Sequence, residues 1–187
     1  MSEFVSRAGA KLEHALNTFA IDVAGMTCAD LGCNVGGFVD CLLSRGAARV
    51  YAIDTGYGGL EWKLRQDPRV VTMERTNAMH AVLPEPVNIV SIDVAWTRQR
   101  NILPAARRLL AADGRIVTLI KPHYEADRGL LKNGILPETD VDGVINKVKN
   151  DILAAGLEIM GTVVSPIRGS KGNTEVLALL RPKASVI

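Results

Sequence analysis

The residues best placed to do chemistry lie where apolar runs end. The segment Asp30-Leu-Gly32-Cys-Asn34-Val-Gly36-Gly37-Phe38 closes a short apolar run and leads straight into a helical pattern. Glycines there let the backbone turn sharply and come close to a ligand. The spacing is Gly-x-x-x-Gly-Gly, neither the Gly-x-Gly-x-x-Gly of dinucleotide sites nor a phosphate loop with Gly-Lys-Ser/Thr. Asp30 indicates the ligand's charge, because a carboxylate repels a pyrophosphate and attracts an ammonium. Asp54, followed by Thr55, ends a second apolar run 22 residues beyond Gly32. An acid in that place typically accepts the hydroxyls of a ribose. A ligand with a ribose and an amino group but no phosphate fits S-adenosylmethionine. Thr76-Asn77-Ala78, at the exit of a third run, would flank its adenine. The plainer alternative is that glycines and acids simply terminate strands in any such fold.

A second group gathers by topology. In an open parallel sheet, ligands bind at the carboxyl ends of the strands. Asp93 ends Ile89–Asp93, Lys121 ends Ile116–Lys121, and Glu175 begins a last strand that starts from the same edge. Lys11, near Arg7 on an opening helix, can reach over the same rim. Taken singly, a helix lysine is usually solvated and a strand-end acid usually caps the next helix. A lysine closing an apolar strand is less ordinary, since its ammonium sits beside a buried edge.

The elements that must position these residues alternate almost from end to end. A helix carries Leu12, Ala15, Leu16 and Phe19 at helical spacing, with Ser6 as its cap. Strands are expected at Thr27–Leu31, Arg49–Asp54, Val70–Glu74, Asn88–Asp93 and Arg115–Ile120. Helices fall between them near Gly37–Arg45, Leu60–Gln66 and Gln99–Ala112, where Pro104 kinks the last or marks its effective start. A long loop, Pro122–Thr139, precedes a helix over Val141–Ala155 that Gly156 stops. Two strands follow, Leu157–Ser165 and Glu175–Leu180, with a polar turn between them. Strand–helix alternation implies an α/β fold: a mostly parallel seven-stranded sheet with helices on both faces. The closing hairpin makes the last strand antiparallel.

Composition narrows the classes. The 187 residues are enough for one domain with a sizeable core, and 48% hydrophobic with 22% charged is ordinary for a globular chain. Net charge is only +2, from 22 Lys+Arg against 20 Asp+Glu, so any nucleic-acid contact must come from a local patch. Three cysteines without a Cys-x-x-Cys pair suggest neither a disulfide framework nor a metal site. No signal peptide and no apolar stretch approaching a membrane span is seen, so a soluble cytoplasmic protein is expected.

On these segments the chain resembles the FtsJ-like ribosomal RNA 2′-O-methyltransferases, in their TlyA or haemolysin-A-like branch. The matching stretches include Val5-Ser-Arg-Ala-Gly-Ala-Lys11-Leu, the Asp30–Phe38 turn, Val50-Tyr-Ala-Ile-Asp54, Lys121-Pro-His-Tyr-Glu and Ser165-Pro-Ile-Arg-Gly-Ser-Lys-Gly-Asn-Thr-Glu175, in family order. The resemblance implies a Rossmann-like class I methyltransferase domain over 1–187, its first twenty residues packing on the catalytic edge. It places a Lys–Asp–Lys–Glu tetrad on Lys11, Asp93, Lys121 and Glu175. Departures are Asp93-Val-Ala-Trp for Asp-Val-Ser-Phe, Gly-Cys-Asn-Val-Gly-Gly for Gly-Ala-Ser-Thr-Gly-Gly, and Arg168 for a lysine. The small N-terminal RNA-binding domain of full-length TlyA-type proteins is not expected in this chain.

A ribose hydroxyl is a poor nucleophile until its proton is being removed, and a lysine removes it only as a neutral amine. Burial and a neighbouring ammonium favour that form. In the implied scheme Lys121 is the general base, Asp93 orients it and Glu175 holds Lys11, with no metal required. Arg7, Lys11, Arg168 and Lys171 would contact structured, ribosomal RNA, and Tyr124 or Trp96 would stack on a base. Two rival readings are a dinucleotide-dependent oxidoreductase, opposed by Asp30, and a non-catalytic RNA-binding or haemolysin-like protein, opposed by the complete tetrad.

Overall fold

The computed structural model describes residues 4–169 and 171–183. Among them, β1 (Thr27–Leu31), β2 (Arg49–Ile53), β3 (Val70–Met73), β4 (Val87–Ile92), β5 (Leu110–Ile120), β6 (Leu157–Val164) and β7 (Val176–Pro182) form one sheet. Its order is β3-β2-β1-β4-β5-β7-β6. The first five strands pair in parallel, and β7 runs antiparallel to both β5 and β6. The order reverses between β1 and β4, which opens a crevice at their carboxyl ends.

Side chains of a strand alternate between the two faces of the sheet, and the core divides accordingly. Val50 and Ala52 of β2 and Leu177 and Leu179 of β7 join one cluster, with Leu12 and Leu16 of α1 (Ala8–Thr18) and Phe38 and Leu42 of α2 (Gly37–Ser44). Their neighbours Tyr51, Ile53, Ala178 and Leu180 join the other, under α4 (Gln99–Leu109) and α6 (Glu138–Ala154). Burying each such Leu, Ile or Val contributes about 1.5–3 kcal/mol. Two single-turn helices complete the set, α3 (Trp62–Arg65) and α5 (Pro122–Glu125). No helix among the described residues is long and apolar enough to cross a membrane.

Several local expectations give way to packing. Ser6 does not cap α1: Arg7 is the N-cap residue, without a side-chain bond, and Ser6 only lends its carbonyl to Gly9 N–H at 3.1 Å. The Ser6 hydroxyl lies instead against the first residue of α2, where a Cβ on Gly37 would come within 2.2 Å of it. The helix expected over Leu60–Gln66 is one turn, because Glu61 caps it and Asp67 precedes Pro68, a position that disfavours helical backbone. Pro104 lies inside α4, which begins at Gln99, so it does not mark the start. That helix ends at Leu109 rather than Ala112, because Leu110 already pairs with Val87 across an irregularity between Val87 and Ile89. Here strand pairing outcompetes helical propensity. The long loop after Lys121 holds α5 and a 3₁₀ turn over Arg128–Leu130, and α6 starts early, with Glu138 and Asp140 in its first turn. Acids there complement the positive helix end.

Candidate active site

The crevice at the carboxyl ends of β1, β4 and β5 holds three adjoining cavities. The first, about 350 Å³, is lined by Lys11, Asp30, Gly32, Asn34, Asp93, Lys121 and Glu175 among others. The second, about 300 Å³, shares Gly32, Asn34 and Asp93 with it and adds Asp54, Thr55, Asn77 and Ala78. The third, about 330 Å³, shares His123 and Tyr124 with the first and Trp96 with the second.

Backbone bonds carry the sheet beyond the strand ends and fix the polar residues. Gly32 and Cys33 both donate to Ile53 O, at 2.8 and 3.1 Å, and Asp93 donates to Leu31 O at 3.1 Å. Asp54 accepts from Asn34 N–H at 2.9 Å and from Gly56 N–H at 2.7 Å, so it ties two strand-end turns together. Gly32 has φ +86°, and a Cβ there would stand 2.8 Å from the Asp93 carbonyl. Only glycine combines that conformation with so close an approach. Gly36, with φ +101°, is buried behind the turn against Leu60 and Leu64 and lines none of the three cavities.

The tetrad residues stand in two acid–lysine pairs. Lys11 Nζ donates to Glu175 Oε2 at 2.5 Å, with both side chains buried, 6% and 4% exposed. Lys121 Nζ lies 2.6 Å from Asp93 Oδ1 and donates to the Val94 carbonyl at 3.2 Å. Lys121 also precedes Pro122, whose ring presets the first turn of α5. A buried polar chain braces that turn from behind. Thr118 Oγ1 donates to Gln99 Oε1 at 2.8 Å, and Gln99 N–H donates to Glu125 at 2.7 Å. Burial raises the Glu125 carboxyl, an effect the Gln99 N–H opposes.

Asp30 is set into β1 rather than at its end, 1% exposed. Its Oδ1 accepts from Ser91 Oγ at 2.7 Å, while Oδ2 has no hydrogen-bond partner. Burial raises its carboxyl to about 8; the Ser91 hydroxyl opposes the shift, and the charges of Asp93 and Asp54 add to it. An orphaned, buried carboxyl oxygen is what a ligand ammonium would satisfy, its positive charge favouring loss of the proton that burial retains. Next door, the free lone pairs of half-exposed Asp54 suit ribose hydroxyls, between apolar walls from Ala78, Met79 and Ile102. The donor set fits S-adenosylmethionine, with its amino-acid end toward Asp30 and its nucleoside toward Asp54. Asn77 caps the 3₁₀ turn Ala78–His80 through Met79 N–H. Phe38 touches the first cavity but is chiefly a core side chain, 2% exposed. The thiols of Cys28 and Cys41 are pushed up to about 12, mainly by burial, and that of Cys33 is raised further. Such thiols are poor nucleophiles.

A family model described as FtsJ-like methyltransferase matches residues 4–181. The chain belongs to the FtsJ-like methyltransferase family. It is 42% identical to YqxC of Bacillus subtilis, over 93% of this chain and 64% of that protein. It is 40% identical to the 16S/23S rRNA (cytidine-2′-O)-methyltransferase TlyA of Mycobacterium tuberculosis, over 95% and 68% of the two chains. A solved structure described as a hemolysin from Streptococcus thermophilus superposes with a TM-score of 0.95 at 39% identity, covering 99% of this chain and 69% of that one. The chain thus spans about two thirds of the length of these relatives.

The cations expected to meet RNA are differently situated. Arg7 is exposed at the first cavity and Lys171 at the third. Lys11 is enclosed with Glu175, and Arg168 is tied to Glu138, Thr174 and the Gly172 carbonyl. Sequence reasoning missed Ser91 beneath Asp30, the Thr118–Gln99–Glu125 brace, and His123. The one signal for His123 is its place two residues after Lys121.

Proposed function

We propose that this domain transfers a methyl group from S-adenosylmethionine to the 2′-hydroxyl of a cytidine in ribosomal RNA. The observation that carries the reading is the arrangement of two acid–lysine pairs, 2.5 and 2.6 Å, in a cavity that shares its wall with the cofactor cavity. The names of the relatives supply the class of acceptor. When bound, the cofactor supplies an electrophilic sulfonium methyl.

Lys121 takes the hydroxyl proton. Asp93 and the Val94 carbonyl hold its amine in place, and the pair with Asp93 must first give up a proton so that the amine can accept one. Lys11, locked by Glu175, sets a positive charge beside the oxygen as negative charge develops there. Packing of α1 on α2 and β7 keeps that ammonium in place, so little reorganisation is needed at the moment of transfer. Trp96 and Tyr124, whose ring centroids are 4.9 Å apart, offer aromatic surface for a base at the rim. The basic side chains Arg7 and Lys171 meet phosphates.

The test is methylation with tritiated cofactor, followed by mapping of the labelled nucleotide. A substrate identical except for a single 2′-deoxy residue at that position accepts no methyl group. A label that persists there lies on the base and refutes the hydroxyl as acceptor.

A further inference from the structure

Two buried side-chain polar atoms among the described residues have no hydrogen-bond partner: Asp30 Oδ2 and His123 Nδ1. Buried polar atoms are nearly always satisfied, so each calls for an account. The cofactor ammonium explains the first. His123 stands in the wall that the first cavity shares with the third.

Elimination narrows what its ring can meet. The residues that would hold the cofactor line the second cavity and the Asp30 side of the first. A ribose reacting at Lys121 must lie in the rest of the first. Its base, one bond away, then has to enter a neighbouring space, and of the three cavities the third is lined by both Trp96 and Tyr124. Arg98, Arg128 and Lys171 line the same cavity, as suits a polyanion.

We propose that His123 reads the base of the acceptor nucleotide, hydrogen-bonding the edge of a cytosine held in the third cavity; this rests on the methylation reading above. The ring is fixed against Tyr124, with centroids 4.2 Å apart. Burial, and after it the ammonium groups of Lys121, Lys11 and Lys171, lowers the imidazole to about 4. At neutral pH it therefore offers one N–H and one lone pair rather than two donors. Cytosine presents an amine beside a ring acceptor, whereas uracil presents a carbonyl beside a ring N–H. A neutral imidazole in one tautomer matches one of these edges and leaves an unpaired buried group against the other.

The experiment compares the wild-type chain with His123→Phe, which keeps a ring against Tyr124, and His123→Gln, which keeps a donor and an acceptor. Each is assayed by kcat/KM on ribosomal subunits assembled with cytidine or uridine at the mapped position, with cofactor affinity measured in parallel as a check on folding. The wild type prefers cytidine by about tenfold or more, His123→Phe brings the ratio to about one, and His123→Gln restores part of the preference. A purely structural role would slow both substrates equally in the variants. That result, or a wild type indifferent to the base, overturns the base reading while leaving 2′-O-methylation standing. If no subunit acquires a 2′-O mark, the methylation reading falls and the base reading falls with it.

Discussion

The Lys11–Glu175 pair offers the sharpest energetic test of the site. Both side chains are almost fully enclosed, at 6% and 4% exposure, and meet at 2.5 Å across 164 residues of sequence. Lys11→Met removes one charge while keeping most of the side-chain volume, and leaves the Glu175 carboxylate buried without its partner. Breaking such a pair from one side typically costs about 3–5 kcal/mol, because the remaining charge has lost both water and counter-ion. For a chain of 150–250 residues each kcal/mol lowers Tm by about 2–4 °C, so the variant should melt roughly 6–20 °C below wild type. Replacing both partners by neutral groups of similar volume, Lys11→Met with Glu175→Gln, removes the stranded charge and should recover most of that loss. Urea unfolding of the four proteins gives the coupling energy directly. A single variant that loses under about 1 kcal/mol, the range of an exposed pair, would refute the buried-pair argument, as would a double variant whose loss is the sum of the two singles. On the proposed mechanism methyl transfer should be impaired in all three variants, since the ammonium assigned to the reacting oxygen would be gone or displaced.

Other perturbations separate binding from chemistry. Lys121→Ala should slow single-turnover transfer by about 10²–10⁴-fold while cofactor affinity holds, and Lys121→Arg should be as slow, because a guanidinium stays protonated; transfer by the Arg variant at near wild-type rate would assign the proton to another group. Asp30, raised from 3.8 to about 8, holds a proton in the folded chain that the unfolded chain has released across that window. Asp30 therefore contributes stability that is lost as pH rises from about 4 to about 8, against the opposite contribution of His123 below its ordinary 6.5; Tm of the cofactor-free Asp30→Asn variant should rise relative to wild type across that window, and parallel profiles would contradict the assignment. Gly37→Ala would put a Cβ 2.9 Å from Gly9 N and against the Ser6 hydroxyl, forcing α1 off α2. The cost should be about 1–3 kcal/mol in chemical denaturation, with a loss of activity beyond it because α1 carries Lys11; full activity would mean that Lys11 need not be held so closely.

Much of this molecule is legible from local pattern. Strand–helix alternation gives the parallel sheet, and the hairpin turn before Glu175 gives the antiparallel β7. Asp54, Asp93 and Lys121 are visible because each follows directly on an apolar run, and the end of a strand is a property of the neighbouring residues. The glycine turn after Asp30 reads for the same reason: its backbone requirement is met within six residues. Element borders were less legible where a distant strand competed for the chain. Leu110 is extended because Val87 pairs with it, although its own neighbours favour helix.

The tertiary structure alone decided how the polar groups are enclosed. Lys11 lies in a helix whose pattern suggests a solvated lysine, and it is buried because α1 packs on α2 and β7, bringing Glu175 to it from the other end of the chain. Ser91 lies under Asp30 because β1 and β4 are neighbours, which nothing in either segment states. The orphaned nitrogen of His123, in the wall between two cavities, is likewise a fact about the folded chain. Apolar periodicity is set by residues a few positions apart, so a sequence displays it. Desolvation and hydrogen-bond partnership depend on atoms brought together across the whole chain, and they exist only once it has folded.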